Sequence, residues 1–336
     1  MEHLFQELLH HYFHNLVYST EAAPFGMTND SRIVIMNRKK YIARIYNPHT
    51  KNEERLRFEI ELTTYLERCS LPFDVPAFVS SMDDTKYVVL SNGSLGSLTR
   101  FIEGDVPDLS SISDVRSYGW TVGQISHALQ QFESDSVDVV CPTIAFHDFY
   151  NLHSLADQTN IHSFLTCLPF KIDAEQIAVL QGYYELGHKF SSELNGLPKQ
   201  MVHHDILVFN LLIDPKSRQM SGVLDFDFAA KDIRIWELSI CLNHLLQHED
   251  QTLTKVALFL DEYRKHMRLT RAEIEWIPCI MQLYYVSLLS IYTGQYLAGK
   301  NIASYYDLML KQLLIRREWM ERNQDKLIEL LYSKCS

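Results

Sequence analysis

One hairpin constrains the second half of this chain more than any other feature. Asn210-Leu211-Leu212-Ile213 reads as one arm. Asp214-Pro215-Lys216-Ser217 begins the connection, and Gly222-Val223-Leu224-Asp225-Phe226 is the other arm. The segment leading in, Met201-Val202-His203-His204-Asp205-Ile206-Leu207-Val208-Phe209-Asn210, enters from an apolar pair, exposes His-His-Asp, and meets an Asn five residues after the Asp. Asp225 lies fifteen residues beyond Asn210, at the end of the apolar Val223-Leu224. An Asp, an Asn and a second Asp at the two mouths of one hairpin can converge on a small volume.

Around this hairpin the chain changes character. Leu4, Phe5, Leu8, Leu9, Tyr12 and Phe13 recur at three and four, which predicts an amphipathic helix over 2–18. A turn follows at Pro24-Phe25-Gly26, then strands over 32–36 and 40–46 around Asn37-Arg38. A helix is predicted over 52–68, a strand over 86–90, and a return strand from Ser97 to Ile102 that stops at Gly104. The coarse expectation is a three-strand sheet interrupted by a helix. From about Val115 helical periodicity dominates: 115–133, 174–194 and three long stretches within 251–333. No internal repeat or low-complexity segment interrupts it.

With 336 residues the chain fits two lobes sharing one cleft and buries a core without disulfides or metals. Its cysteines, at 69, 141, 167, 241, 279 and 335, have no CxxC spacing, so reduced thiols in the cytoplasm are expected. A net charge of −11 argues against nucleic-acid binding, which needs a basic face. Met1-Glu2-His3 does not open a secretion signal, and the apolar stretch Trp276 to Leu297 carries Gln282, Gln295 and several hydroxyl residues, so it reads as a buried helix rather than a membrane span. A homodimer is left open.

The residues around the hairpin suit phosphoryl transfer. That reaction needs one carboxylate to take the proton of an attacking hydroxyl. It also needs an Asn and a second carboxylate to hold Mg2+ against nucleotide phosphates. The adjacent His203 and His204 suit a metal hydrolase less well, because neighbouring side chains point apart and no HExxH helix accompanies them.

The HxDxxxxN motif followed by a hydrophobic-Asp-Phe-Asp segment resembles the signature shared by aminoglycoside phosphotransferases, choline kinases and type II homoserine kinases. The resemblance implies an α+β, bilobal protein-kinase-like fold, with a small β-rich N-lobe over 1–102 and a helical C-lobe over 103–336. It implies ATP and Mg2+ as cofactors and a small-molecule acceptor with a hydroxyl group, homoserine-like by slight preference. Asp205 would be the catalytic base, His203 the histidine that opens the catalytic loop, and Asn210 and Asp225 the metal ligands. Arg44, in Ile42-Ala43-Arg44, falls where the family places its phosphate-contacting cation, and Glu59 where a helix acid pairs with it. Phe101 and Ile102 match the interlobe hinge that receives adenine, and Gly26 to Asn29 the turn over the phosphates. The resemblance covers roughly residues 20–240.

The chain departs from the pattern at several points. The cation is Arg rather than Lys, Gly26 stands without a GxGxxG, His204 replaces a small residue, and Glu237 replaces a bracing Asp. Simpler readings remain: Asp205 and Asn210 as turn residues, Arg44 as a solvated strand residue, Glu61 in place of Glu59, and Asp227 as a brace rather than a metal contact. The three central groups are intact, which favours an active kinase over a binding or regulatory protein.

Overall fold

The computed structural model describes residues 2–14, 17–23, 29–48, 51–133, 140–247 and 253–336. The elements are, in chain order, α1 (Glu2–His10), β1 (Ser19–Ala22), β2 (Asp30–Met36), β3 (Lys39–Ile45), α2 (Glu53–Arg68), β4 (Val88–Val89), β5 (Leu95–Arg100), α3 (Ile112–Gln130), α4 (Gln158–Thr166), α5 (Ala174–Lys189) and α6 (Ser191–Asn195). There follow β6 (Lys199–Val202), β7 (Leu211–Ile213), β8 (Met220–Val223), β9 (Ala230–Ile233), α7 (Ile235–Leu245), α8 (Leu253–Tyr263), α9 (Arg271–Leu297) and α10 (Ala303–Cys335). Packing divides them into two units. The first comprises 1–108, 131–142 and 205–229, and the second 109–130, 143–204 and 230–336.

The first unit is built on an antiparallel sheet in the order β1-β2-β3-β5-β4, five strands where three were expected. Asn37 and Arg38 both adopt positive φ, 49° and 63°, as a two-residue hairpin turn requires to match strand twist. Alternation sends Val34, Ala43, Ile45 and Leu98 to one face, where Leu4, Phe5, Leu8 and Leu9 of α1 cover them. The α1 helix ends at His10, short of the predicted 18, and β1 is a polar, exposed strand that no periodicity announced. Asn52 caps α2 by accepting the Arg55 N–H. The β7–β8 hairpin joins this unit through Asp105, whose N–H and C=O both bond Ile213, and through the Ser221 hydroxyl, which donates to Glu103 O at 2.8 Å.

The second unit is mainly helical, with β6 and β9 paired antiparallel. In it α3 meets α8 closely enough that a Cβ at Gly119 would stand 2.2 Å from Phe259 O, and one at Gly123 2.9 Å from Tyr263 O. Both positions therefore need glycine. The α9 helix is long and apolar enough to span a membrane by composition, but 67% of its most apolar window is buried in protein, as a core helix is. Thr270 and Glu273 close its N-terminus as a capping box, and Glu273 also receives Arg234 at 2.5 Å.

Candidate active site

Asp205, Asn210 and the acids of the charged cluster lie in the first unit. Val208–Asn210 forms a single 3-10 turn that carries Asn210 into β7. There the Asn210 amide nitrogen donates to both Asp205 O and Asp205 Oδ2, each at 2.8 Å. One side chain thus fixes the backbone and the carboxylate of the residue that would be the base, and the amide oxygen is left for other use. On the opposite arm the Leu224 N–H donates to Asn210 O at 2.8 Å, which sets Asp225 directly beyond the paired strands. Asp225 has φ 63°, a left-handed conformation that Asp tolerates better than most residues.

Beside Asp225 lies a cluster of buried charge. Lys51 Nζ sits 2.5 Å from Glu59 Oε2 and 2.8 Å from Asp227 Oδ1, with Lys51 and Glu59 almost wholly buried. Asp227 Oδ2 accepts from Asn29 Nδ2 at 2.6 Å, and Asn29 Oδ1 in turn accepts the Asn47 N–H. Arg44 reaches the same acids from β3, its guanidinium 3.6 Å from Asp225 Oδ1 and 3.8 Å from Asp227 Oδ1. Both cations lie near the Tyr46 ring, and the Tyr46 hydroxyl contacts Ser97 Oγ at 2.9 Å.

The electrostatics follow from burial and neighbours. Burial raises the Glu59 carboxyl to about 7, with Lys51 opposing the rise and Asp227 adding to it. Burial also raises Asp225, against the pull of Arg44. For Asp227, burial pushes upward but Lys51 and Arg44 outweigh it and hold the group well below the usual carboxylate range. The same acids overcome the burial penalty on Lys51 and on Arg44 and raise both. With every group ionised, three carboxylates face two cations, an imbalance that favours a bound cation.

The residue types fit a magnesium ion. Asp225 Oδ1 is buried and accepts no hydrogen bond, and the amide nitrogen of Asn210 is already engaged by Asp205. Among the described residues no group of three or more His, Cys, Asp or Glu side chains forms a metal cage. Asn210 and Asp225 supply hard oxygen donors, the type magnesium takes alongside phosphates and water.

The sequence-predicted residues fall as follows. Glu59 is paired, but with Lys51, so the expected Arg44–Glu59 pair is corrected: the strand carries Arg44 to Asp225 and Asp227 instead. Glu59 occupies the Leu56-Glu59-Leu62-Leu66 stripe of α2, all buried, whereas Glu61 lies off it. An acid within an apolar helical stripe was the available signal for a buried cation. Lys51 itself reads as a loop residue in a polar stretch and was missed. Phe101 donates its N–H to Lys40 O, and Ile102 packs against Gly222, where a Cβ would stand 2.7 Å from Ile102 Cγ2. Gly26 lies outside the described residues. In the second unit His203 is fully buried, and its N–H donates to Glu237 Oε2 at 2.6 Å. His204, with φ 65°, places Nε2 3.1 Å from the buried Asp232, which also accepts the Phe146 N–H.

Comparison with known proteins identifies the fold and the family. Homoserine kinase of Zymomonas mobilis is 25% identical over 250 residues, 74% of this chain and 72% of its own length. The structure of the microcompartment-associated aminopropanol kinase superposes with a TM-score of 0.75 at 15% identity, covering 97% of this chain and 98% of that one. Amicoumacin kinase in complex with AMP-PNP and Ca2+ superposes at 0.68 with 15% identity, over 90% of this chain and 89% of that one. These likenesses fix the fold as the α+β, protein-kinase-like one. Residues 20–271 match the phosphotransferase enzyme family (APH) across most of the chain, and the chain belongs to that family.

Proposed function

We propose that this kinase transfers the γ-phosphoryl group of ATP to the hydroxyl of a small amino alcohol, with homoserine the first candidate. The observation that carries the reading is the pair of hydrogen bonds that the Asn210 amide nitrogen donates to the backbone and carboxylate of Asp205, on the hairpin that ends in Asp225. In this reading Asp205 orients the acceptor hydroxyl and takes its proton as the phosphoryl group leaves ADP. Asn210 and Asp225 would hold Mg2+, which would supply positive charge against the phosphates. Lys51, anchored by Glu59 and Asp227, supplies fixed positive charge, and Arg44 supplies the second cation. Phe101 and Ile102 offer backbone groups to the adenine, and His203 supports the catalytic loop from within the core.

The acceptor class is inferred from the relatives: a homoserine kinase by sequence and an aminopropanol kinase by fold both act on a hydroxyl close to an amine. Among the described residues none of the six cysteines forms a disulfide, which suits a reducing cytoplasm. A coupled ADP-release assay over homoserine, aminopropanol, choline, ethanolamine and an aminoglycoside tests the reading. Turnover is expected with homoserine above the others. ATP-dependent stabilisation without turnover on any acceptor would instead indicate a regulatory nucleotide-binding protein.

A further inference from the structure

The two cations of the site are held differently. Lys51 is within hydrogen-bond distance of both its acids and is almost wholly buried. Arg44 stands 3.6 and 3.8 Å from its acids, is 23% exposed, and makes no hydrogen bond at those distances. A guanidinium carries five N–H donors and forms short, forked bonds wherever carboxylate geometry permits. Here it balances charge without engaging in that way. The Asp225 oxygen it faces, Oδ1, accepts no hydrogen bond at all. Arg44 is therefore held beside Asp225 by charge without a hydrogen bond to either acid, whereas Lys51 cannot leave without stranding Glu59 and Asp227.

We propose that Arg44 is a displaceable counter-ion of the metal site: it balances Asp225 and Asp227 in the free protein and yields them to the divalent cation only when nucleotide phosphates take up its guanidinium. The inference rests on the reading of Asp225 as a metal ligand. Two positive charges cannot share Asp225 Oδ1 at contact distance without repulsion. The free protein should then bind a divalent cation weakly, and metal and nucleotide should strengthen each other's binding by equal factors, as linkage requires. Arg44 thus sets the order in which the site fills. Its geometry explains why an arginine can serve on this strand while a lysine from another segment pairs with Glu59. The fixed charge and the exchangeable charge come from different residues.

Titration of the nucleotide-free protein with Mn2+, followed by calorimetry and by the electron paramagnetic resonance of free Mn2+, tests this. Arg44→Gln should tighten Mn2+ binding without nucleotide by about tenfold. It should also shrink the gain in Mn2+ affinity that AMP-PNP confers, while weakening AMP-PNP binding itself. Arg44→Lys, which keeps a charge, should stay near wild type in the first measurement. Asp225→Asn in the Arg44→Gln background should abolish the gained Mn2+ affinity, which separates a local effect from a general change of charge. Unchanged or weaker Mn2+ binding by a folded Arg44→Gln protein, as judged by circular dichroism and melting, would overturn the proposal alone. Absence of Mn2+ binding by wild type even with AMP-PNP would overturn the metal-site reading, and this inference with it.

Discussion

Buried charge is used in opposite ways by the two units. In the second, acids are spent on the protein's own backbone and side chains: Glu237 accepts the His203 N–H, Asp232 accepts the Phe146 and Ile233 N–H groups, and Glu273 is shared between a helix cap and Arg234. In the first, Glu59, Asp225 and Asp227 face Lys51 and Arg44, an excess of one carboxylate when every group is ionised, and a buried oxygen of Asp225 accepts no hydrogen bond. The difference teaches that burial alone does not mark function. An acid that satisfies backbone donors holds the fold together, while an acid left in surplus among cations is held ready for a ligand.

The comparison breaks most readily at Asp205. If the first-unit acids serve ligands, Asp205→Asn should lower kcat by about a thousandfold while the melting temperature and AMP-PNP affinity stay close to wild type. A large loss of stability instead would place Asp205 with the structural acids. Next in size is Lys51→Met. It leaves Glu59 and Asp227 without their closest cation, so calorimetry or denaturant unfolding should show a loss of about 3 kcal/mol together with a raised KM for ATP. An effect on KM alone would mean that the buried pair contributes nothing to folding.

The third test uses pH. Burial raises the Glu237 carboxyl to about 7, from 4.5 when unfolded. A group whose folded pKa is raised contributes stability that is fully present below its unfolded pKa and is lost as pH rises through the folded value. Wild type should therefore lose stability between about pH 5 and 7.5, with Glu59, raised by the same cause, sharing the loss. Glu237→Gln keeps an acceptor for the His203 N–H without the ionisation, and it should recover about 2 kcal/mol of that loss at the upper end. An identical slope in the variant would show that the carboxyl stays charged throughout. The smallest effect sharpens the choice on α2: Glu59→Gln should raise the KM for ATP severalfold, whereas Glu61→Gln should change it by less than about twofold. Equal effects would dissolve the distinction between stripe and flank.

The site was legible where chemistry and local pattern coincide. His203, Asp205, Asn210 and Asp225 stand at fixed spacings around a hairpin whose apolar arms announce themselves, and the structure bonds Asn210 to Asp205 there. The fold class followed from the resemblance of these motifs to the kinase signature, and the family match and the solved structures bear it out. What escaped depends on long-range packing. Ser19–Ala22 is exposed and polar and becomes a strand only because β2 offers it an edge. Lys51 sits in Thr50-Lys51-Asn52-Glu53-Glu54, a run with every mark of a solvated loop, and is buried where its N–H donates to Asn47 O and its side chain pairs with Glu59 of α2. Helix α1 stops at His10, although apolar spacing continues to Phe13, since periodicity reports a face to be covered and not where the chain must turn.

The left-handed backbone at Asp225 has an evolutionary consequence. Asn and Gly are the residues that share this conformation at little cost, and each is one base change from Asp. A lineage released from selection for turnover can therefore exchange Asp225 for either without disturbing the β7–β8 hairpin. On the reading of Asp225 as a metal ligand, a well-folded descendant without turnover lies a single mutation away.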